Sequence, residues 1–368
     1  MERTPLEWSI QMAESVIRRG EPNPNSWNYD FGLLMKGFEH LWKRTGDDKY
    51  YQLLKRNVDK LIDADGNIYN YPMEAYNLDF INASKLLFNL YKTTGDERYR
   101  KAIETSREQL RHQPRTSDGG FWHKKRYPYQ MWLDGIYMSS PFYAEYAVTF
   151  GEPEALDDVA RQIELVVLHH RDPKTGLFYH AWNETREEKW ANPETGCSPH
   201  FWGRAVGWFA MALADLLELF PTDHPKRPFL AATLNDLAAA LAKVQHPETG
   251  LWYQVLDQRE RAGNYPEASA SNMFVYALVK GVRLGAIDRA RLETARKAHR
   301  GILEQMIEVE PDGMVNLHRI VLVSGLGGNP YRDGSYEYYV SEPVVTNDYK
   351  GVGPFILNGI EWDLLGEA

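Results

Sequence analysis

Thr249-Gly250-Leu251-Trp252-Tyr253 belongs to a turn that this chain writes five times. Its counterparts are Asp65-Gly66-Asn67-Ile68-Tyr69, Asp118-Gly119-Gly120-Phe121-Trp122, Thr175-Gly176-Leu177-Phe178-Tyr179 and Asp312-Gly313-Met314-Val315. Successive glycines of the turn lie 53, 57, 74 and 63 residues apart, room each time for two helices and their loops. A period of that size is the mark of an architecture built from repeated units. A second element alternates with the first. Thr45-Gly46-Asp47, Thr94-Gly95-Asp96 and Gly151-Glu152-Pro153 read as tight helix-to-helix connections, with glycine ending one helix and an acidic residue opening the next.

Between these turns the apolar spacing is helical: Phe31, Leu34, Met35, Phe38, Leu41 and Trp42 recur at three and four, as do Phe80, Ala83, Leu86, Leu87, Leu90 and Tyr91. Strand-like alternation is scarce. The segments predict about twelve helices, near 5–19, 28–44, 48–63, 77–93, 97–112, 133–149, 153–170, 202–219, 226–245, 267–284, 288–307 and 348–364. Twelve helices in six hairpins give an all-α toroid, an (α/α)6 barrel. The second helix of each pair is rich in aromatic residues, Gly and Ala, and is expected on the inside, its charged partner outside. No Pro/Ser-rich linker divides the chain, so residues 1–368 are expected to form one domain. The longer Gly-aromatic turns then share one face of the ring, the expected functional rim.

Composition narrows the function. The chain carries 42 Lys+Arg against 51 Asp+Glu, a formal charge of −9, with no long basic run, so nucleic acid is not the expected partner. The one basic cluster, Lys124-Lys125-Arg126 beside His123, reads either as a solvated loop or as an attractor for an anionic small substrate. The single cysteine, Cys197, has no disulfide partner and no neighbours at metal-ligand spacing. The beginning of the sequence lacks the pattern of a secretory leader and no window has the apolar length of a membrane span, so a cytoplasmic protein without membrane association is expected. Aromatic residues make up 13% of the chain, and many fall in the Gly- and Pro-containing turns, where carbohydrate-binding clefts keep theirs.

Four residues beyond the repeated glycines stand Asn70, His123, His180 and Gln254, with His318 five beyond Gly313. Equivalent positions in a toroid are expected to face one central cleft, unless these residues only cap helices and bind water. Asp134, in Trp132-Leu133-Asp134-Gly135-Ile136-Tyr137, places a carboxylate among apolar groups at the start of an inner helix. Desolvation there raises the pKa and suits a general acid, the alternatives being an N-cap or a buried salt bridge. Pro141 either opens that helix or interrupts one already begun. Asp79 holds the corresponding place in the preceding repeat, and paired carboxylates in a pit lined by Trp and His suit glycoside-bond chemistry. Arg204, one turn before Trp208 and close to Trp202, has the planar fork to grip a carboxylate while a tryptophan stacks on a sugar face. The two tryptophans would serve equally as core. Ser324-Gly325-Leu326-Gly327-Gly328 imitates a dinucleotide loop but has no helix after it.

Several of these segments, in this order, resemble one family. Trp132-x-Asp134-x-x-Tyr137-Met138-x-x-Pro141-Phe142, Trp202-x-Arg204-x-x-Gly207-Trp208, Ser269-x-Ser271-x-Met273 and Gly325-Leu326-Gly327-Gly328 to Gly334-Ser335-Tyr336-Glu337-Tyr338-Tyr339 are similar to the unsaturated rhamnogalacturonyl hydrolases, glycoside hydrolase family 105. Related unsaturated glucuronyl hydrolases share some of these pieces. The resemblance covers nearly the whole chain and implies the six-hairpin α/α barrel. It also implies a reaction. The substrate is a lyase-generated disaccharide or short oligosaccharide ending in a uronate with a C4=C5 double bond, and the enzyme hydrates that alkene rather than attacking the anomeric carbon. Asp134 matches the family's catalytic aspartate, expected to protonate C4 and help water attack C5. Asp79 matches the second acid. His123, His180, Trp202, Arg204 and Trp208 match pocket-lining positions, with Trp132, and with Tyr29 and Met35 at the pocket edge. Neither metal nor cofactor is implied.

Three other functions compete with hydrolysis of rhamnogalacturonan fragments. The same chemistry could act on a glucuronyl or ulvan-type disaccharide, the barrel could carry a conventional inverting glycosidase using Asp79 and Asp134, or the protein could bind sugar without turnover. A monomer or weakly associating homo-oligomer is expected.

Overall fold

The five repeated turns share one backbone device. Gly66, Gly119, Gly176, Gly250 and Gly313 have φ between 72° and 101°, the left-handed region in which a Cβ is penalised. Each turn follows an outer helix and leads the chain along the rim towards the next inner helix. The computed structural model describes residues 3–20, 22 and 24–366. Its helices are α1 (Pro5–Arg18), α2 (Tyr29–Thr45), α3 (Asp48–Asp59), α4 (Asp79–Thr94), α5 (Glu97–His112), α6 (Leu133–Phe150), α7 (Glu154–His170), α8 (Gly203–Leu219), α9 (Arg227–Val244), α10 (Ala268–Arg283), α11 (Leu292–Gln305), α12 (Tyr336–Ser341) and α13 (Tyr349–Leu365). All twelve expected helices are present, and the short α12 is an addition.

Helices α2, α4, α6, α8, α10 and α13 pack side by side in that order, and α13 returns to α2 to close an inner ring. The outer helices α3, α5, α7, α9 and α11 each lie against the inner helix preceding them in sequence, while α1 packs on α13. Closure therefore joins the two ends of the described chain. This is the (α/α)6 barrel. Chemistry separates the layers: α8 is buried along almost its whole length, whereas α5 alternates buried Tyr99, Ala102, Ile103 and Leu110 with exposed charge.

The short connections are built as their sequences predict. Gly46, Gly95 and Gly151 are left-handed C-caps with φ of 70°, 67° and 77°. Asp47 and Asp96 then accept from the backbone N–H of Lys49 and Arg98 to open α3 and α5. At the opposite rim lie three two-stranded antiparallel ribbons: β1 (Gln130–Trp132) with β2 (Ala181–Asn183), β3 (Ile307–Val309) with β4 (Val315–Leu317), and β5 (Ile320–Val321) with β6 (Val344–Val345). Pro141 falls inside α6, which has already begun at Leu133. Among the described residues no helix is long and apolar enough to cross a membrane.

Candidate active site

The rim repeats a single construction. Backbone N–H groups at the starts of inner helices have no partner within their helix, and in four repeats a carbonyl from the following rim loop accepts one of them. Leu78 N donates to His123 O at 3.2 Å, Leu133 N to His180 O at 3.1 Å, Gly203 N to Gln254 O at 2.9 Å and Ala268 N to Arg319 O at 2.9 Å. The residues after these donors are Asp79, Asp134, Arg204 and Ser269. Backbone satisfaction thus seats a first-turn side chain of each helix beside the loop of its neighbour, bringing His123 to Asp79 and His180 to Asp134.

At Asp134, Oδ2 lies 3.2 Å from Nε2 of the fully buried His180. The other ring nitrogen of His180, Nδ1, is 2.8 Å from the Tyr339 hydroxyl. The β1–β2 ribbon, with Trp132 opposite Ala181, sets the Trp132 indole edge-on to His180 at 5.1 Å, and Trp202 covers the ring at 4.7 Å. Trp202 is fixed in turn, its Nε1 donating to Gln254 Oε1 at 3.1 Å while Gln254 Nε2 donates to the Tyr339 carbonyl at 2.9 Å. No Lys or Arg pairs with Asp134 among the described residues. Its carboxylate faces an imidazole within an aromatic wall.

Asp79 is paired differently. Lys124 Nζ donates to its Oδ2, and His123 Nε2 lies 3.6 Å from Oδ1. Burial by itself would raise this carboxyl, but the Lys124 ammonium, aided by Arg126, outweighs it and holds Asp79 below its ordinary range. Burial pushes His123 down to about 4, with the opposing pull of Asp79 too weak to reverse it, so the ring is neutral at physiological pH. His123 stacks on Trp132 at 4.7 Å with Tyr127 4.9 Å from the same indole. Gly135, next to Asp134, makes room for this stack, since a Cβ there would come within 3.0 Å of His123 Nδ1 and of Leu78.

Tyr29, at the start of α2, lies in the field of both aspartates and of Arg204, and burial raises its hydroxyl pKa. Its ring meets Trp208 edge-on at 6.2 Å, and Trp208 stacks on Tyr137 at 4.8 Å. Asp79, Asp134, His123, His180, Trp132, Trp202, Trp208 and Tyr29 therefore gather at one end of the barrel. Met35, six residues after Tyr29 on α2, is wholly buried in the core cluster that also holds Trp202 and Trp208.

Arg204 departs from its expected role as an open fork. It is 1% exposed, and its guanidinium donates to the carbonyls of Val321 (2.7 Å) and Leu322 (3.1 Å) and to the Ser269 hydroxyl (3.3 Å). Backbone oxygens thus take up most of these donors, and the residue ties the 320–322 segment to α8. Two positions of the five-fold pattern also miss the cleft. Asn70 is exposed in a left-handed turn with φ of 51°, and His318 pairs with Glu308 at 3.0 Å and Thr346 at 2.9 Å. The reason is the loops themselves: those carrying His123, His180 and Gln254 return to helix starts through their own carbonyls, whereas in the last repeat the next residue, Arg319, makes that bond.

Sequence reasoning left Tyr339 and Lys124 out of the site. Tyr339 arrives on α12, some 160 residues from the histidine it contacts, and the run of tyrosines at 336–339 was the available signal. Lys124 was visible as part of a basic cluster, but its separation from Lys125 and Arg126 required the partner. Among the described residues no group of three or more His, Cys, Asp or Glu side chains is arranged to hold a metal ion.

Comparisons with known proteins agree with this architecture. The profile of Glycosyl Hydrolase Family 88 matches residues 7–364. A solved structure described as a C. acetobutylicum glycoside hydrolase from family 105 superposes with a TM-score of 0.95 at 47% identity, over 97% of this chain and 99% of that one. The unsaturated rhamnogalacturonyl hydrolase YesR of Bacillus subtilis is 28% identical over 276 residues, 74% of this chain and 75% of its own. A heparin-specific unsaturated glucuronyl hydrolase, 14% identical with a TM-score of 0.71 over 99% of this chain and 97% of that one, shares the fold. With a barrel, a rim and a sequence profile in agreement over almost the full length, this chain belongs to glycosyl hydrolase family 88, together with its family 105 relatives, and is a glycoside hydrolase.

Proposed function

We propose that the protein removes a Δ4,5-unsaturated uronic acid from the non-reducing end of lyase-generated rhamnogalacturonan fragments. The observation that carries this reading is the unequal treatment of two aspartates in equivalent positions: Lys124 clamps Asp79, while Asp134 faces only a histidine within an aromatic wall. The likeness to YesR supports the rhamnogalacturonan substrate.

In this reading Asp134 delivers a proton to C4 of the unsaturated ring. Positive charge then develops at C5 and the ring oxygen, where the resulting carboxylate stabilises it. Asp134 next takes a proton from a water molecule as that water's oxygen bonds to C5, which regenerates the acid. The product is a hemiketal at C5. Its ring opens to a keto-uronic acid, and the second sugar, rhamnose or a rhamnose-ended chain, leaves from C1. Asp79, kept ionised by Lys124, accepts hydrogen bonds from sugar hydroxyls. Trp132, Trp202 and Trp208 supply apolar surface, and Arg204 holds the loop behind them while contributing positive potential towards the uronate.

A second reading changes only the acceptor sugar. A cavity of about 420 Å³ lined by Phe80, Asn77, Lys124, Lys125 and Arg126 adjoins Asp79, and its cations suit an acceptor that carries its own negative charge. An unsaturated 3S-rhamnoglycuronyl hydrolase of Formosa agariphila is 27% identical over 62% of this chain and 56% of its own. The test is ultraviolet absorbance of the unsaturated rhamnogalacturonan disaccharide, with rhamnose release followed in parallel, for wild type and Asp134→Asn. Loss of the alkene chromophore together with rhamnose release, in wild type alone, is the expected result. Loss only with a sulfated or glucuronyl analogue moves the substrate to the second reading. Release of sugar with the chromophore intact overturns alkene hydration.

A further inference from the structure

Beyond the rim, at the other end of the barrel, the inner helices enclose a cavity of about 460 Å³. Cations in its wall are matched to carboxylates: Lys36 meets Glu39 at 3.1 Å, Lys280 meets Asp215 at 2.8 Å and Arg283 meets Glu361 at 2.7 Å. Lys85 breaks the pattern. It is buried on α4 and has no carboxylate within ion-pair distance among the described residues. Its Nζ instead donates to the backbone carbonyl of Tyr137 at 2.6 Å and lies 3.7 Å from the centre of the Tyr137 ring.

The reason for that partner is four residues further along α6. In an α-helix the carbonyl of residue 137 accepts from the N–H of residue 141. Residue 141 is proline, which has no N–H and whose ring crowds that carbonyl. Pro141 thus orphans the Tyr137 oxygen in the barrel interior, where an unpaired acceptor is costly, and a side chain from the neighbouring helix replaces the missing donor. Tyr137 stands one turn after Asp134, and its ring supports Trp208, which meets Tyr29. One lysine therefore bonds the backbone of this helix one turn beyond Asp134 and packs on the aromatic floor beneath it.

We propose that Lys85 is a positioning residue: through the carbonyl left unpaired by Pro141 it fixes α6 one turn beyond Asp134, and with it the placement of Asp134 over the substrate. This rests on the role given to Asp134 under Proposed function. Both ends of the substitution are testable, because Pro141→Ala returns an N–H to the place where Lys85 now donates.

The experiment measures kcat and KM on the unsaturated disaccharide for wild type, Lys85→Met, Pro141→Ala, the double variant and Asp134→Asn, with thermal midpoints for each. Displacing a catalytic group by a fraction of an ångström is expected to lower kcat of Lys85→Met by about tenfold or more with little change in KM. Pro141→Ala alone should stay active, and adding it to Lys85→Met should restore most of kcat. Should Lys85→Met fail to fold, recovery of folding and turnover in the double variant supports the proposal equally. An unchanged kcat in Lys85→Met, or a folded double variant no faster than Lys85→Met, overturns it. Lys85→Met also loses the contact with the Tyr137 ring, but Pro141→Ala cannot replace that contact, so rescue identifies the carbonyl. Full activity in Asp134→Asn would instead overturn the reading of the active site. Inactivity there beside a fully active Lys85→Met would sink only the positioning role.

Discussion

Asp79 and Asp134 occupy the same place in successive repeats and end in opposite circumstances. Both follow a residue whose N–H donates to a loop carbonyl, and both meet the histidine that owns that carbonyl. At Asp79 the next loop residue is Lys124, which folds back onto the carboxylate. At Asp134 the corresponding loop residue is Ala181, in strand β2, and the histidine is backed by the Tyr339 hydroxyl instead. A repeat fixes where a side chain stands. Its local partner decides what that side chain can do, and one residue of difference separates a clamped anion from a group with no cation upon it.

The comparison breaks first at the aspartates themselves. Asp134→Asn is expected to cost about 10²- to 10⁴-fold in kcat, the range for a lost general acid, while Asp79→Asn should act more through KM. Steady-state rates on the unsaturated disaccharide check both, and equal kcat losses would erase the proposed division of labour. Lys124→Met comes next. Removing the partner of a largely buried carboxylate destabilises by about 3–5 kcal/mol, readable as a lower urea midpoint, and Lys124→Met combined with Asp79→Asn should recover much of it.

The neutral histidine beside Asp79 makes a pH prediction. Burial lowers His40 and His170 to about 3, and His123 and His299 to about 4, so the folded protein leaves these rings unprotonated where the unfolded chain, titrating near its ordinary 6.5, binds protons. With more protons on the unfolded side, stability falls as pH drops from about 6.5 towards 4, by at most about 1.4 kcal/mol per pH unit for each histidine. Asp79 adds a loss only at lower pH, since its depressed pKa favours the folded state until the carboxyl itself protonates. Thermal midpoints between pH 7 and 5 test this, and a flat profile would show that these rings are not held neutral. The smallest effect belongs to the partner of His180. Tyr339→Phe removes one buried hydrogen bond, about 1 kcal/mol, and should lower kcat a few-fold with the fold intact.

Much of this architecture was legible before any coordinates, for a physical reason. Apolar spacing at three and four, and glycines in turns that demand a left-handed backbone, are local signals, and all twelve long helices follow from them. The placement of Asp79 and Asp134 was equally legible, because repeats put equivalent residues at equivalent heights. What escaped was contact between distant parts of the chain. Arg204 looked like an open fork until Val321 and Leu322, some 117 residues away, were found to occupy it.

Sequence alone therefore set the helical period, the count of hairpins, the rim that carries the long turns and the two carboxylates upon it, since each depends on a residue and its near neighbours. Only the tertiary structure decided that Lys124 would clamp one aspartate and leave the other free, that Tyr339 would reach His180, and that Lys85 would take over the carbonyl orphaned by Pro141. Those pairings arise where separate hairpins meet as the ring closes, and no local pattern specifies which side chains will then stand within hydrogen-bond distance of one another.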